Sequence, residues 1–204
     1  MINDKMLSDL RNSVSKIVSA KRFSHICGVE RCAMRLGEAI IPERLAEVRA
    51  AALLHDVSKE LPLQEQLRLL AEDGFSLEAE DIETEGVLHS FTAPIVIARD
   101  FPEYATADIL SATRNHTVGR ENMSIFEKII FVSDYAEDTR AYESCIRVRE
   151  RLFEGFEALS FEEKIARLDE ACINSIDGAL SALKRMGCPI NSRMYKTRES
   201  LLRK

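Results

Sequence analysis

The stretch Ala50-Ala51-Ala52-Leu53-Leu54-His55-Asp56-Val57-Ser58-Lys59 decides how the rest of the chain must fold. Its five small or apolar residues have no polar face, which predicts a helix buried on nearly all sides, running from Pro42 to about Lys59. This helix would carry an imidazole and a carboxylate into the interior, where an unpartnered carboxylate is costly. A metal ion would satisfy both side chains at once.

A second apolar run delivers another carboxylate to the interior. Residues 129–133, Ile-Ile-Phe-Val-Ser, lead into Asp134, on a helix that the capping box Ser124-x-x-Glu127 is expected to start. Taken singly, Asp134 and each histidine would more often be core or capping residues whose polar atoms are hydrogen-bonded within the protein. Taken together, four imidazoles and two carboxylates form a mixed nitrogen and oxygen ligand set suited to Fe, Mn, Zn, Co or Ni. The histidines are His25, His55, His89 and His116.

Composition places the chain among ordinary globular proteins. The 204 residues are 46% hydrophobic and 30% charged, and the net charge of −6 argues against non-specific nucleic-acid binding. Five scattered cysteines without a C-x-x-C pair predict reduced thiols and a cytoplasmic protein. The N-terminus lacks a leader-like apolar segment, and no window has the length of a membrane span, so no membrane partner is expected.

The hydrophobic pattern predicts an all-α fold. Apolar residues recur at helical spacing along the chain, and no segment alternates with the period of two that strands require. Residues 76–85 are acidic and weakly patterned, which indicates a solvated connection or a short helix. The last dozen residues form a basic cluster, either a solvated terminal helix or a contact to an anion.

Several motifs give the chain a family resemblance. His25, then His55-Asp56, then Asp134 resemble the H…HD…D signature of the HD superfamily of metal-dependent phosphohydrolases. Further blocks resemble the YqeK subfamily, and the likeness spans roughly residues 20 to 185. The blocks are residues 52–60 (ALLHDVSKE), 87–90 (VLHS), 115–120 (NHTVGR) and 123–140 (MSIFEKIIFVSDYAEDTR). Val118, Ser133 and Asp138 depart from the family's usual Thr, Ala and Pro without removing a ligand or a cation.

The resemblance implies an HD-domain helical bundle with a hydrolytic site. It predicts one HD domain over residues 1–204, with a core at about 20–185 and a helical tail at about 190–204. Members of the YqeK subfamily are symmetrical bis(5'-nucleosyl)-tetraphosphatases, which hydrolyse diadenosine tetraphosphate to two ADP at an iron-containing site. The expected partner is therefore a small dinucleoside polyphosphate, with ADP as the product. Whether the chain forms a homodimer stays open.

The resemblance also assigns roles to individual residues. A first metal ion is expected on His25, His55, Asp56 and Asp134. His89 and His116 would complete a second metal site, or would contact the phosphates if only one ion is present. Iron is the expected metal, with Mn, Co, Ni or Zn as alternatives. Asp56 and three cations are the expected catalytic residues, and Thr117 would donate a hydrogen bond to a phosphate; the cations are Lys59, Arg120 and Arg140. The substrate-binding set adds the metal ligands His25, His89, His116 and Asp134.

Three other functions stay open at this point. The same fold and metal could serve another nucleotide, such as a deoxynucleotide, an alarmone or a nucleoside monophosphate. Some HD-fold proteins use a diiron pair for oxygenation, although the expected cations favour a polyphosphate. A nucleotide-binding regulator without activity is the fourth reading, although such a protein needs no set of six metal-competent side chains.

Overall fold

The chain is mostly helical over residues 2–203, the range that the computed structural model describes. Within that range there are eleven α-helices, short 3-10 turns and no strand, so the all-α prediction is confirmed. The helices are α1 (Asp4–Ile17), α2 (Ala20–Ile40), α3 (Leu45–Leu54), α4 (Leu63–Asp73), α5 (Ala79–Glu83), α6 (Leu88–Asp100), α7 (Ala107–Asn115), α8 (Ile125–Ala136), α9 (Glu143–Phe153), α10 (Phe161–Met186) and α11 (Arg193–Leu202). None of the described helices is both long and apolar enough to cross a membrane.

Helix α3 lies at the centre of the bundle. It packs against α1, α2, α7 and α8, and residues 50–54 are completely buried. The three alanines allow these neighbours to approach closely, and the two leucines fill the space between them. The prediction that this apolar run occupies the interior is confirmed.

The prediction that the helix continues to Lys59 is wrong. Helix α3 ends at Leu54, and residues 55–60 form consecutive turns, with Val57 N donating to Leu54 O (3.1 Å) and Lys59 N donating to Asp56 O (3.0 Å). Asp and Ser favour such turns over helix interiors, and the residue before Pro62 is biased away from helical geometry. The prediction that Pro42 begins this helix is also wrong, because residues 42–44 form a separate 3-10 turn. His55 and Asp56 therefore stand at the end of a buried helix.

Helices α8 and α10 begin at the predicted capping boxes. The side chains of Ser124 and Glu127 cap α8 reciprocally, and Ser160 and Glu163 do the same for α10. Helix α8 is buried along residues 126–133 and presents Asp134 near its C-terminal end. Helix α10 ends at Met186 and is capped by Gly187, whose φ of +66° suits a glycine.

The C-terminal helix α11 is docked on the protein's own surface. Thr197 Oγ1 donates to Val118 O (2.9 Å), and it packs against Gly119, where a Cβ atom would collide with it. Arg193 binds Asp81, a completely buried carboxylate of the acidic segment. The basic tail is therefore not a solvated helix, and the acidic segment is only partly solvated, because opposite charges from both meet in the fold.

Replacing Arg193 with methionine is expected to lower the free energy of unfolding by about 3 kcal/mol, because it leaves a buried carboxylate without its cation. Burial alone would raise the pKa of Asp81, but the hydrogen bond from Arg193 holds it below its usual value. The stabilisation is therefore present above the unfolded pKa of about 3.8 and is lost as the pH falls through the lower folded pKa. Urea unfolding at pH 7 and at low pH measures both effects.

The matched control is Arg203→Met, which removes an exposed cation paired with Glu199 in the same helix. Its stability should stay close to that of the unchanged protein at both pH values. Equal losses in the two variants would show that the Arg193–Asp81 pair does not anchor the tail.

Candidate metal centre

The four histidines and two aspartates converge on one buried point. His25 comes from α2, His89 from α6 and Asp134 from α8, while His55 and Asp56 follow α3 and His116 follows α7. His25 Nε2 lies 3.0 Å from Asp134 Oδ1 and 3.6 Å from Asp56 Oδ2. The structure thus brings together all six residues that the sequence singled out as ligands.

Asp56 occupies the middle of this cluster. Its Oδ2 lies 3.5 Å from His55 Nε2 and 3.6 Å from His25 Nε2. Its Oδ1 lies 3.2 Å from His89 Nε2 and 3.5 Å from His116 Nε2. Although burial alone would raise the pKa of Asp56, the surrounding histidines hold it well below its usual value. One buried carboxylate therefore faces two imidazoles with each oxygen.

Hydrogen bonds at Nδ1 orient three of the imidazoles. His55 and His116 each donate Nδ1–H to the carbonyl three residues earlier, both at 2.7 Å. His25 Nδ1 lies 3.1 Å from Oε1 of Glu137, a buried carboxylate that also accepts from the backbone N–H and hydroxyl of Thr139 (2.6 Å each). These contacts leave the Nε2 lone pairs directed at the centre, as metal-ligating histidines require.

His89 is oriented differently, by Lys59. Lys59 Nζ lies 3.1 Å from Nδ1 and 3.4 Å from Nε2 of His89, and it donates to Gly86 O at 3.2 Å. Because a carboxylate can only accept, the 3.2 Å contact of His89 Nε2 with Asp56 Oδ1 favours the tautomer with its proton on Nε2. That Nε2 lies 3.0 Å from His116 Nε2 and 3.2 Å from Thr117 Oγ1. Burial lowers the pKa of His89 to about 4, so the ring is a neutral donor facing the cluster.

The cluster fits a divalent cation. His25 Nε2 and His55 Nε2 are buried and make no hydrogen bond, although a carboxylate oxygen lies 3.0 Å from the first and 3.5 Å from the second. Buried nitrogens of this kind ordinarily have a hydrogen-bond partner or a bound ion. Burial alone would lower the pKa of His25, yet its contacts with Asp134 and Glu137 raise it to about 9. The carboxylates around His25 therefore favour a positive charge at this point. The potential ligand atoms form two groups, His25–His55–Asp134 and His55–Asp56–His116, each within 4.8 Å.

Two arginines border the cluster, and sequence reasoning identified only one. Arg140 Nη2 donates to Asp134 Oδ1 (2.8 Å), as expected of a cation at the site. Arg22 Nη1 donates to Asp56 Oδ2 (2.6 Å), while its Nε is buried without a hydrogen-bond partner. The signal for Arg22 was its position three residues before His25, which places both on one face of α2.

Arg120 pairs with a carboxylate at the start of α8, and its expected contact with the phosphates stays a prediction. Its Nε and Nη2 bind both carboxylate oxygens of Glu127 at 2.7 Å. Glu127 also caps α8 and is almost fully buried, so it needs a cation nearby. Lys59, Thr117 and Arg140 contact residues of the cluster directly, and their expected roles at the phosphates stay predictions as well.

Replacing Glu137 with glutamine is expected to weaken metal affinity by about 10- to 100-fold, because partners that orient a ligating histidine contribute about that much. Competition with a chromogenic chelator measures the affinity directly. Glu157→Gln is the matched control, since Glu157 is an exposed partner of Arg35. Unchanged affinity in Glu137→Gln would mean that His25 does not depend on this contact.

Comparisons with known proteins agree with this geometry. A family model described as HD domain matches residues 22–138. The chain is similar to two curated proteins called "Bis(5'-nucleosyl)-tetraphosphatase, symmetrical". One, from Bacillus subtilis, is 29% identical over 87% of each chain, and the other, from Halalkalibacterium halodurans, is 30% identical over 89% of each.

A solved structure shares the whole fold. It comes from Clostridium acetobutylicum and is described as a predicted HD superfamily hydrolase involved in NAD metabolism. The TM-score is 0.82 at 26% identity, over 97% of both chains. Its helices thus follow the same path as those that position the cluster. The chain therefore belongs to the HD domain superfamily and, within it, to the family of symmetrical bis(5'-nucleosyl)-tetraphosphatases.

Proposed function

We propose that this protein is a metal-dependent phosphohydrolase that cleaves diadenosine tetraphosphate symmetrically into two ADP. The observation that carries the proposal is the buried cluster of four histidines and two aspartates, bordered by the cations Arg22, Lys59 and Arg140. The cations suit a polyphosphate, and the curated relatives carry the name of this activity. The same cations favour it over oxygenation of an uncharged substrate, and the complete ligand set favours catalysis over binding alone.

The chain's own residues have distinct tasks in this reaction. His25, His55, Asp56 and Asp134 would hold a divalent ion, which when bound lowers the pKa of a water molecule and polarises a phosphoryl oxygen. Lys59 on the His89 side and Arg140 on the Asp134 side neutralise the phosphate charge, and Arg22 adds a third cation. Thr117 and His89 Nε2–H donate hydrogen bonds to phosphate oxygens. Water loses a proton as it attacks an inner phosphorus, and the bond from that phosphorus to the central bridging oxygen breaks, so one ADP carries the water oxygen and the other leaves with the bridging oxygen.

We propose iron as the metal, bound as one ion or as two. The first ion would lie on His25, His55, Asp56 and Asp134, since His55 Nε2 can bind only one ion. His89 Nε2 and His116 Nε2 lie 3.2 Å and 3.5 Å from Asp56 Oδ1, so these two histidines would complete a second site, or would contact the phosphates if only one ion is bound. Mn, Co, Ni and Zn share the preference for imidazole and carboxylate ligands and are the alternatives.

Analysis of products tests the proposed function. Metal-loaded protein is incubated with diadenosine tetraphosphate, and the nucleotides are separated by anion-exchange chromatography. We expect ADP alone, whereas AMP with ATP would indicate an asymmetric cut. A deoxynucleotide and an alarmone in the same panel test the other phosphohydrolase functions. Turnover no faster than in buffer would contradict the proposal.

A cytoplasmic location stays a prediction, and whether the chain forms a homodimer stays open. All five cysteines carry free thiols, which is typical of a reducing compartment. Light scattering measures the oligomeric state.

A further inference from the structure

Two clefts adjoin the cluster, and neither has a role in the mechanism above. The first, which we call the apolar cleft, has a volume of about 490 Å³ and lies between residues 83–87, residues 117–118 and the segment from the end of α10 to Met194. The second, which we call the polar cleft, has a volume of about 740 Å³ and lies between α9 and α10. Both volumes are in the range that small-molecule sites occupy.

The apolar cleft meets the phosphate site at two residues. Thr117 lines it and lies 3.2 Å from His89 Nε2, and Gly86 lines it and accepts from Lys59 at 3.2 Å. Its walls include Val118, Leu183 and Met186. When a phosphate chain is bound at the cluster, an attached group with apolar faces can therefore lie in this cleft.

The charges of the apolar cleft select the uncharged end of such a ligand. No Lys or Arg occurs among its described lining residues, whereas the carboxylates Glu83 and Glu85 do. Carboxylates repel phosphate groups but accept hydrogen bonds from amino and hydroxyl groups. A nucleobase with its ribose has this combination of flat apolar faces and hydrogen-bond donors.

The polar cleft meets the cluster from the other side. Arg140 lines it and binds Asp134 Oδ1 at 2.8 Å. Tyr142 lines it as well and is 72% exposed, so its ring is accessible from the cleft. Large aromatic side chains are usually buried more deeply than this, and an accessible ring in a cleft that also contains arginines is a common platform for a base.

A single face of α10 separates the two clefts. Ala179, Ala182 and Met186 line both of them and are spaced three and four residues apart, so they lie on one side of the helix. These three residues form a ridge between the clefts, and two of them are alanines, whose small side chains project little above the helix. The clefts thus flank one ridge and reach the cluster through Thr117 on one side and Arg140 on the other.

We propose that the two nucleosides of one dinucleoside polyphosphate occupy the two clefts, one in each, while the phosphates cross the cluster. The inference rests on the proposed function and extends it to the recognition of the substrate. It places the scissile bond between two bound nucleosides, which accounts for a symmetric cut. A mononucleotide fills one cleft only, so diadenosine tetraphosphate should bind more tightly than ADP.

One exposed residue in each cleft allows a test that does not touch the cluster. Tyr142→Ala removes the ring from the polar cleft, and Tyr142→Phe retains it as the matched control. Cys188 lines the apolar cleft and is exposed, so Cys188→Trp obstructs that cleft without disturbing the core, with Cys188→Ser as control. Each disruptive variant should raise KM for diadenosine tetraphosphate by about 5- to 150-fold, the value of one stacked base, while kcat changes less.

A second readout does not depend on activity. In a Cys27→Ser background, Cys188 is the only cysteine among residues 2–203 that is not buried, and iodoacetamide should alkylate it. Metal-free diadenosine tetraphosphate is expected to slow this alkylation, as followed by mass spectrometry. Inorganic tetraphosphate, which has no nucleoside, should leave the rate unchanged.

The outcomes separate this inference from the proposed function. If the unchanged protein hydrolyses diadenosine tetraphosphate while both disruptive variants keep their KM and Cys188 is not protected, the clefts are not nucleoside sites and the function stands. A raised KM in only one of the two variants would overturn the arrangement of one nucleoside in each cleft. Failure of the unchanged protein to hydrolyse the substrate would overturn the function and this inference together.

Discussion

Replacing Asp56 with asparagine is expected to abolish metal binding and hydrolysis together. Asp56 lies within 3.6 Å of the Nε2 atoms of all four histidines, and it faces two imidazoles with each oxygen. An amide keeps the shape but loses the charge and one acceptor, so a cation among the imidazoles loses its central carboxylate. The expected loss in kcat/KM is at least about a thousandfold. Kinetics and metal analysis on the same preparation measure both effects.

The matched control for this variant is Asp138→Asn. Asp138 is an exposed carboxylate in the turn after α8, and it pairs with Arg31 rather than with the cluster. Its metal content and activity should stay near those of the unchanged protein. Full metal content in Asp56→Asn, with activity within tenfold of normal, would show that the cluster is not the metal site.

Replacing Lys59 with methionine is expected to lower kcat/KM by about a hundredfold while metal content stays normal. Lys59 Nζ lies 3.1 Å from His89 Nδ1, outside the proposed ligand set. The variant removes a cation from the phosphates and also releases His89 from the orientation that directs its Nε2–H at the cluster. Methionine replaces the aliphatic stem of the lysine with a flexible apolar side chain of similar length, which limits the effect on packing.

Lys164→Met controls for the loss of a lysine, because Lys164 lies at the start of α10. We expect no change in kcat/KM there. An unchanged kcat/KM in Lys59→Met would remove Lys59 from the mechanism, and a loss of metal would instead indicate a structural role.

The buried helices of the fold could be predicted from the sequence, because a buried helix contains a continuous run of apolar residues. The apolar run at residues 50–54 and the run before Asp134 are buried as predicted. The capping boxes predicted where α8 and α10 begin, since each is a contact between residues three apart. The end of α3 was misjudged, because the turns at residues 55–60 are held in part by a contact distant in sequence. There, Ser58 Oγ donates to the carbonyl of His89 at 2.8 Å.

Contacts between distant segments account for the remaining differences. Arg193 pairs with Asp81, which lies 112 residues away in the chain, so no spacing reveals this partner. That cation could equally have faced an anionic ligand. Arg22 was overlooked although its helical spacing from His25 is visible in the sequence. Its contact with Asp56 depends on the turn after α3, which the sequence did not predict.

Anomalous X-ray diffraction from crystals of the iron-loaded protein tests the central claim most directly. The account predicts an anomalous peak enclosed by Nε2 of His25 and His55 and by carboxylate oxygens of Asp56 and Asp134. Metal-containing crystals with no peak at this point, or with their peak elsewhere in the protein, would contradict it.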